Sequence, residues 1–171
     1  VADLPADERK VLSRAALIGR EFHIDLLAVV SDVDKETLVT VLDNAMRRQL
    51  LDQAPGAGIF VFAHERIREA LRSYMAREEA MAIHRRIGDA IQELGIYDEQ
   101  TKLFALAHHY TEAGDDENTL LYTVPAAERS WHESATEEAV RYATAALVIL
   151  EKWGYHGSDA WLRAKHCVIG S

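Results

Sequence analysis

The sequence predicts a mainly α-helical chain with one small β-hairpin in its first half. Three observations carry that expectation. Apolar residues make up 49% of 171 positions, with only 8% aromatics, three prolines and nine glycines, a composition that suits packed helices. Before Met46 and again after His64, apolar positions recur at a period near 3.6, the mark of a helix with one buried side. Between those stretches, Pro55-Gly56-Ala57-Gly58 separates two short apolar runs, Leu50-Leu51 and Ile59-Phe60-Val61-Phe62, as a turn separates two strands.

The elements follow in order. Residues 7–16 form a first helix with Val11, Leu12 and Ala15 on one face, Leu17 and Ile18 following, and Gly19 as its stop. Phe22 anchors a short extended piece. Residues 24–30 form a second helix with Leu26, Leu27 and Val30 inward, broken at Ser31 and Asp32. Asp34 is placed to cap a third helix over 35–48, whose Leu38, Val41, Leu42, Ala45 and Met46 share a side. Gln49 to Leu51 open a strand, and 59–62 return. Three helices and then a hairpin is the plan of a winged helix. In a DNA-binding winged helix the third helix enters the major groove. Here that helix starts Asp34-Lys35-Glu36, carries Asp43 in its middle, and keeps Arg47 and Arg48 for its far end. The expectation is a winged helix that contacts protein rather than DNA.

Two further helices are expected over 64–77 and 78–94, with Ile67, Leu71, Met75, Met81, Ile87 and Ile91 on their buried side. Gly95 and Asp98 interrupt the pattern. Helices over 101–113, 117–134, 137–152 and 160–168 follow, linked by Gly114-Asp115-Asp116 and by residues 154–158. Pro125 lacks an N–H and is expected to kink or divide its helix. Small residues (Ala105, Ala126, Ala127, Ala143, Ala146) alternate with aromatics (Tyr110, Tyr122, Trp131, Tyr142), as in helix pairs that bury their faces on one another. The expected organisation is a winged-helix domain with trailing helices at 1–94 and TPR-like repeats at 95–171.

Charge and composition exclude several function classes. The chain carries 28 acidic residues against 19 Lys and Arg, a net charge of −9. Nucleic acid is therefore an unfavourable partner, since its nonspecific binding rests on neutralised phosphates. Cys167 is the sole cysteine, which rules out an internal disulfide and fits a reducing cytoplasm. No run reaches the roughly 18–20 apolar residues of a membrane span, and no signal peptide opens the chain. The start at Val1 and the Gly-Ser end read as a piece of a longer protein. No GxxxxGK[ST] cradles a triphosphate, Ser130 and Ser134 lack a GxSxG setting, and no carboxylates are paired for acid–base work. His84, His108 and His109 have no HExxH spacing and are expected to pack between helices rather than bind metal. No catalytic residue, metal or cofactor is expected in the chain itself.

One position stands apart. At His64 the period changes from two to 3.6, so a strand hands over to a helix there. A helix start has unpaired N–H groups and a partial positive charge, and an imidazole beside it can donate to a phosphate oxygen. The plainer alternative is that His64 packs against the hairpin. Arg66 and Arg68, one turn along, would reach a phosphate or an acid on another domain, or else pair with Glu65 or Glu69.

The stretches Phe62-Ala63-His64-Glu65-Arg66-Ile67-Arg68-Glu69, residues 83–91 (IHRRIGDAI) and residues 106–115 (LAHHYTEAGD) resemble, in their order and spacing, the region behind the nucleotide-binding domain of bacterial STAND-type signalling ATPases. Those are AAA-like P-loop regulators with a winged helix and then TPR-like repeats; Glu138-Ala139, Tyr142 and Ala146-Leu147 also resemble TPR spacing. The resemblance covers about residues 7–153. In related NB-ARC-type proteins a Met-His-Asp motif lies at this place, and its histidine contacts the β-phosphate of ADP. Ala63-His64-Glu65 matches the histidine and departs at both neighbours. The resemblance implies that an upstream domain binds ATP or ADP, that the winged helix closes on it in cis, and that the repeats receive a protein or small-molecule ligand. Ligand binding would then shift an ADP-held closed state toward an open, oligomerising one. The output would be a LuxR-type DNA-binding domain, a nucleotide cyclase, a Ser/Thr kinase or a histidine kinase. Two other classes stay open: a winged-helix transcription regulator with a helical sensing or dimerisation domain, and a stand-alone helical scaffold.

Overall fold

The computed structural model describes residues 3–169. The chain divides into two compact units, Val1–Leu94 and Gly95–Ser171. Its architecture is mainly helical, with one small three-stranded antiparallel sheet.

The first unit runs α1 (Ala6–Ile18), β1 (Glu21–His23), α2 (Ile24–Ser31), α3 (Lys35–Arg47), β2 (Leu51–Gln53), β3 (Ile59–Phe62), α4 (Glu65–Arg72) and α5 (Arg77–Leu94). The sheet has the order β1-β3-β2, with Phe22 opposite Phe60 and Leu51 opposite Phe62. The extended piece at Phe22 is thus a strand of the sheet. Its short length hides it from any periodicity; the pairing comes from the aromatic side chains. Phe22 is 1% exposed, and its ring centroid lies 5.9 Å from that of Phe60 and 5.7 Å from that of Phe62. Gly19 ends α1 in extended backbone rather than in a left-handed turn, feeding the chain directly into β1.

α2 starts on an unusual cap. The N–H of Asp25 donates to Nδ1 of His23 at 3.2 Å. His23→Asn should keep the cap, whereas His23→Ala should cost about 1 kcal/mol in urea unfolding. Next to it, the carbonyl of Gly58 accepts the N–H of Ile24 at 2.8 Å, and Gly58 itself lies at φ 77°. A Cβ there would sit 2.9 Å from Cγ2 of Ile24. Gly58→Ala is expected to destabilise the unit by about 1–2 kcal/mol, because φ strain and this clash add. At α3, Asp34 accepts from the N–H of Thr37 at 2.9 Å and from its hydroxyl at 2.7 Å, so the cap lies where the sequence places it. Leu38, Val41, Leu42 and Ala45 are buried.

The helix expected over 64–77 is shorter. α4 ends at Arg72, and Ser73 to Ala76 form a non-helical link before α5. The reason is a partner from α1. The buried hydroxyl of Ser13 donates to the carbonyl of Leu71 at 2.9 Å, satisfying a terminal acceptor. Tyr74 leaves the helical path to lie under the guanidinium of Arg9, 4.8 Å away. Met75 and Met81, expected on the buried side, are only half-buried; Leu71, Ile83, Ile87 and Ile91 supply the buried face instead.

The C-terminus of α2 is clamped by two arginines that sequence spacing does not reveal. Asp32 sits there in the left-handed region, φ 56°. Arg14 of α1, 5% exposed, donates to the carbonyl of Val30 at 2.9 Å and to Asp32 at 2.7 Å. Arg86 of α5 forks onto both carboxylate oxygens of Asp32 at 2.9 and 2.7 Å and donates to the carbonyl of Val29 at 2.9 Å. Cations at a helix C-terminus complement its partial negative charge. One carboxylate thereby links α1, α2 and α5.

The second unit runs α6 (Glu99–Ala113), α7 (Asp116–His132), α8 (Thr136–Lys152) and α9 (Asp159–Ile169). Each helix packs on the next, and α9 also meets α7. Ala126, Ala127, Ala143, Ala146 and Ala164 are all fully buried, so helix backbones approach closely along these seams. Ala105 is only half-buried. Tyr110 stacks on Tyr122 at 5.7 Å, and Phe104 meets Tyr142 at 5.7 Å. Of the two outcomes expected at Pro125, a kink or a division, the division does not occur: α7 is one helix of 17 residues with Pro125 inside it. The carbonyl that Pro125 leaves without its usual amide belongs to Leu121, a residue on the exposed side of α7.

Candidate functional site

β3 delivers the chain to the start of α4. Phe62, 1% exposed, fixes the end of the strand, and the N–H of Ala63 is tied to the carbonyl of Leu50 at 3.1 Å. His64 then occupies the N-cap position in extended backbone, φ −141° and ψ 141°. Its side chain is exposed and makes no capping bond to α4. Its carbonyl accepts the N–H of Ile67 at 3.0 Å. An exposed imidazole thus stands beside a helix start whose first N–H groups it does not consume. That arrangement suits an anion.

The two arginines part ways. Arg66 is exposed on the first turn. Arg68 is half-buried, and its Nε donates to Glu65 at 2.9 and 3.1 Å while Nη1 donates to the carbonyl of Ala16 at 3.4 Å. The pairing with Glu65 weighed from the sequence is what the structure holds for Arg68. The guanidinium of Arg68, bonded to Glu65, holds that carboxyl below its usual range, with weaker attraction from Arg20 and Arg72. Arg20 is the member that sequence reasoning misses. It is far from His64 along the chain and comes close only through sheet pairing, where its carbonyl accepts the N–H of Phe62 at 2.9 Å. Arg20, Arg66, Arg68 and Arg72 outnumber Glu65 and Glu69 on and beside this turn.

The exposed side of α3 has the opposite character. A cavity of about 610 Å³ next to its start is lined by Asp7, Glu8, Asp34 and Glu36, with Thr37 and Thr40. That surface repels phosphates. Of the remaining sequence candidates, His108 is half-buried and Ser134 exposed. His84 and His109 are each 2% exposed, in α5 and α6 respectively, and Ser130 is fully buried in α7. Cys167 is 1% exposed, and burial pushes its thiol up, keeping it protonated and poorly nucleophilic. Among the described residues, no helix is long and apolar enough to cross a membrane.

No family model and no solved structure matches the chain. An uncharacterized protein of Rhizobium meliloti (strain 1021) is similar: 28% identical over 142 residues, which cover 81% of this chain and 14% of that protein. The chain thus spans 14% of the length of the curated relative it matches.

Proposed function

We propose that this chain is the regulatory region of a multidomain cytoplasmic signalling ATPase of the STAND type. In this reading the first unit is a winged helix that closes over ADP or ATP held by an upstream P-loop domain. The second unit is a TPR-like array that receives a protein or small-molecule ligand. The observation that carries the reading is the placement of His64: an exposed imidazole, immediately after the last strand of the sheet, at the start of a helix it does not cap. The order helix, strand, two helices and two strands, with sheet order β1-β3-β2, supports the winged helix. That the chain spans only 14% of its relative supports a longer multidomain protein. The chain itself is assigned no catalysis.

In this reading His64 and Arg66 reach phosphate oxygens, and Arg68 holds Glu65 and the end of α1 in place. Release of a fluorescent ADP analogue from a longer protein that includes the upstream domain tests this. His64→Ala and Arg66→Ala should each speed release about tenfold, the loss of one charge-assisted hydrogen bond. Arg68→Ala should change it far less. Equal rates in all three variants would refute the assignment.

The second reading, a DNA-binding regulator, draws on the same helix order. The acidic start of α3 weighs against it. Mobility-shift titration decides: salt-sensitive binding of duplex DNA at micromolar concentration would favour the regulator, and its absence is expected.

A further inference from the structure

We propose that a cavity between α7 and α9 is a binding site for a small aromatic amine. This rests on the reading of the second unit as the ligand-receiving part and names the ligand's chemistry. Beside the alanine-lined core of the second unit, α7 and α9 leave an opening between them. It holds a cavity of about 320 Å³ lined by Glu128, Trp131, Leu162, Arg163, His166 and Cys167 among others. An open cleft of that size suits a one- or two-ring ligand, since ligand pockets begin near roughly 300 Å³.

The lining specifies which kind. Trp131 meets His166 edge-on at 5.8 Å, and Leu162, 56% exposed, adds an apolar wall with no polar group to satisfy. A flat ring is the shape these walls accept. Glu128 supplies the charge. Its carboxylate already takes two bonds from Arg163, both at 2.6 Å, which leaves each oxygen a further lone pair for an ammonium donor. Arg163 in turn spreads its charge toward Asp159, 3.7 Å away. The lining itself holds one carboxylate, Glu128, one guanidinium, Arg163, and the imidazoles of His132 and His166, with Asp159 beyond it. Across residues 95–171, acidic side chains outnumber Lys and Arg by six, which draws cations and repels anions. Tryptophan is also the preferred aromatic partner of a cation. The ring of the ligand lies along Trp131 and Leu162, and its ammonium meets Glu128. Cys167, neutral and buried, closes one side of the cavity.

The test is calorimetric titration of the 171-residue chain with tyramine and tryptamine, and with phenylacetate as the anionic counterpart. The amines should bind saturably in the micromolar to low millimolar range, and phenylacetate should not. Glu128→Gln should weaken the amines at least tenfold. Arg163→Gln should strengthen them several-fold, because it frees the carboxylate, whereas a merely structural pair would show a loss or no change. Circular dichroism melting establishes that each variant is folded. Phenylacetate binding as well as the amines, no amine binding, or amine affinity unmoved by Glu128→Gln would each overturn the proposal. The readout is binding to this chain alone. It therefore fails or succeeds independently of ADP release from the longer protein.

Discussion

Replacing Phe22 by alanine is expected to destabilise the first unit by about 3–5 kcal/mol. Phe22 is 1% exposed and in ring contact with Phe60 and Phe62, so truncation empties the space on which β1 and β3 are held together. The consequence is not only a weaker core. Phe62 stands two residues before His64, and the N–H of Phe62 is bonded to the carbonyl of Arg20, beside β1. Loosening β1 therefore loosens the frame that sets both Arg20 and His64. Phe22→Leu, which keeps most of the volume, should cost about 1–1.5 kcal/mol. Denaturant unfolding of the three proteins measures this; a loss below about 1 kcal/mol for alanine would show that the aromatic cluster does not hold the sheet.

Asp32→Asn is the second substitution with a large expected effect, about 2–3 kcal/mol. It leaves the Arg14 side chain, 7% exposed, without a charged partner, while asparagine still tolerates the left-handed backbone at this position. The value falls short of the roughly 3–5 kcal/mol of a fully buried pair because the Asp32 side chain is 53% exposed and water screens it. The pH dependence has a definite sign. Hydrogen bonds from Arg86 and then Arg14 hold the Asp32 carboxyl far below its ordinary value. Its contribution is therefore complete above the unfolded-state value, near about 4, and is lost progressively as pH falls below that. The Asp32→Asn substitution removes this part of the acid dependence: wild type should lose stability faster than the variant between about pH 4 and pH 2. Parallel acid profiles would mean that the clamp contributes nothing to folding.

What was legible in the sequence was local. Asp34 caps its helix because an aspartate accepts the N–H three residues on, a rule that needs no tertiary information; Asp98, read from the sequence only as a break, caps α6 by the same rule. The strand at 59–62 and the alanine seams follow from periodicity in the same way. Elements defined by distant partners were not legible. β1 is three residues long and exists because Phe22 finds Phe60 and Phe62. α4 stops at Arg72 because a serine of α1 takes the carbonyl of Leu71. α7 runs undivided through Pro125, whose missing N–H argues for a kink or a division, since the helix is held on both sides of it by packing in the second unit. At the candidate site, His64 and Arg66 are found by the change of period. Arg20 joins them only through sheet pairing; the sequence offers Arg68 both Glu65 and Glu69, and the structure selects Glu65.

The most direct measurement is the nucleotide content of a longer protein that includes the proposed nucleotide-binding domain, purified with His64 and with His64→Ala. Both are denatured, and the released nucleotide is quantified by chromatography. The account predicts that the wild type carries ADP at close to one per chain and that His64→Ala carries far less. Equal retention in the two proteins would make His64 a structural residue. A longer protein that neither carries nucleotide nor binds it on titration would contradict the signalling-ATPase assignment itself.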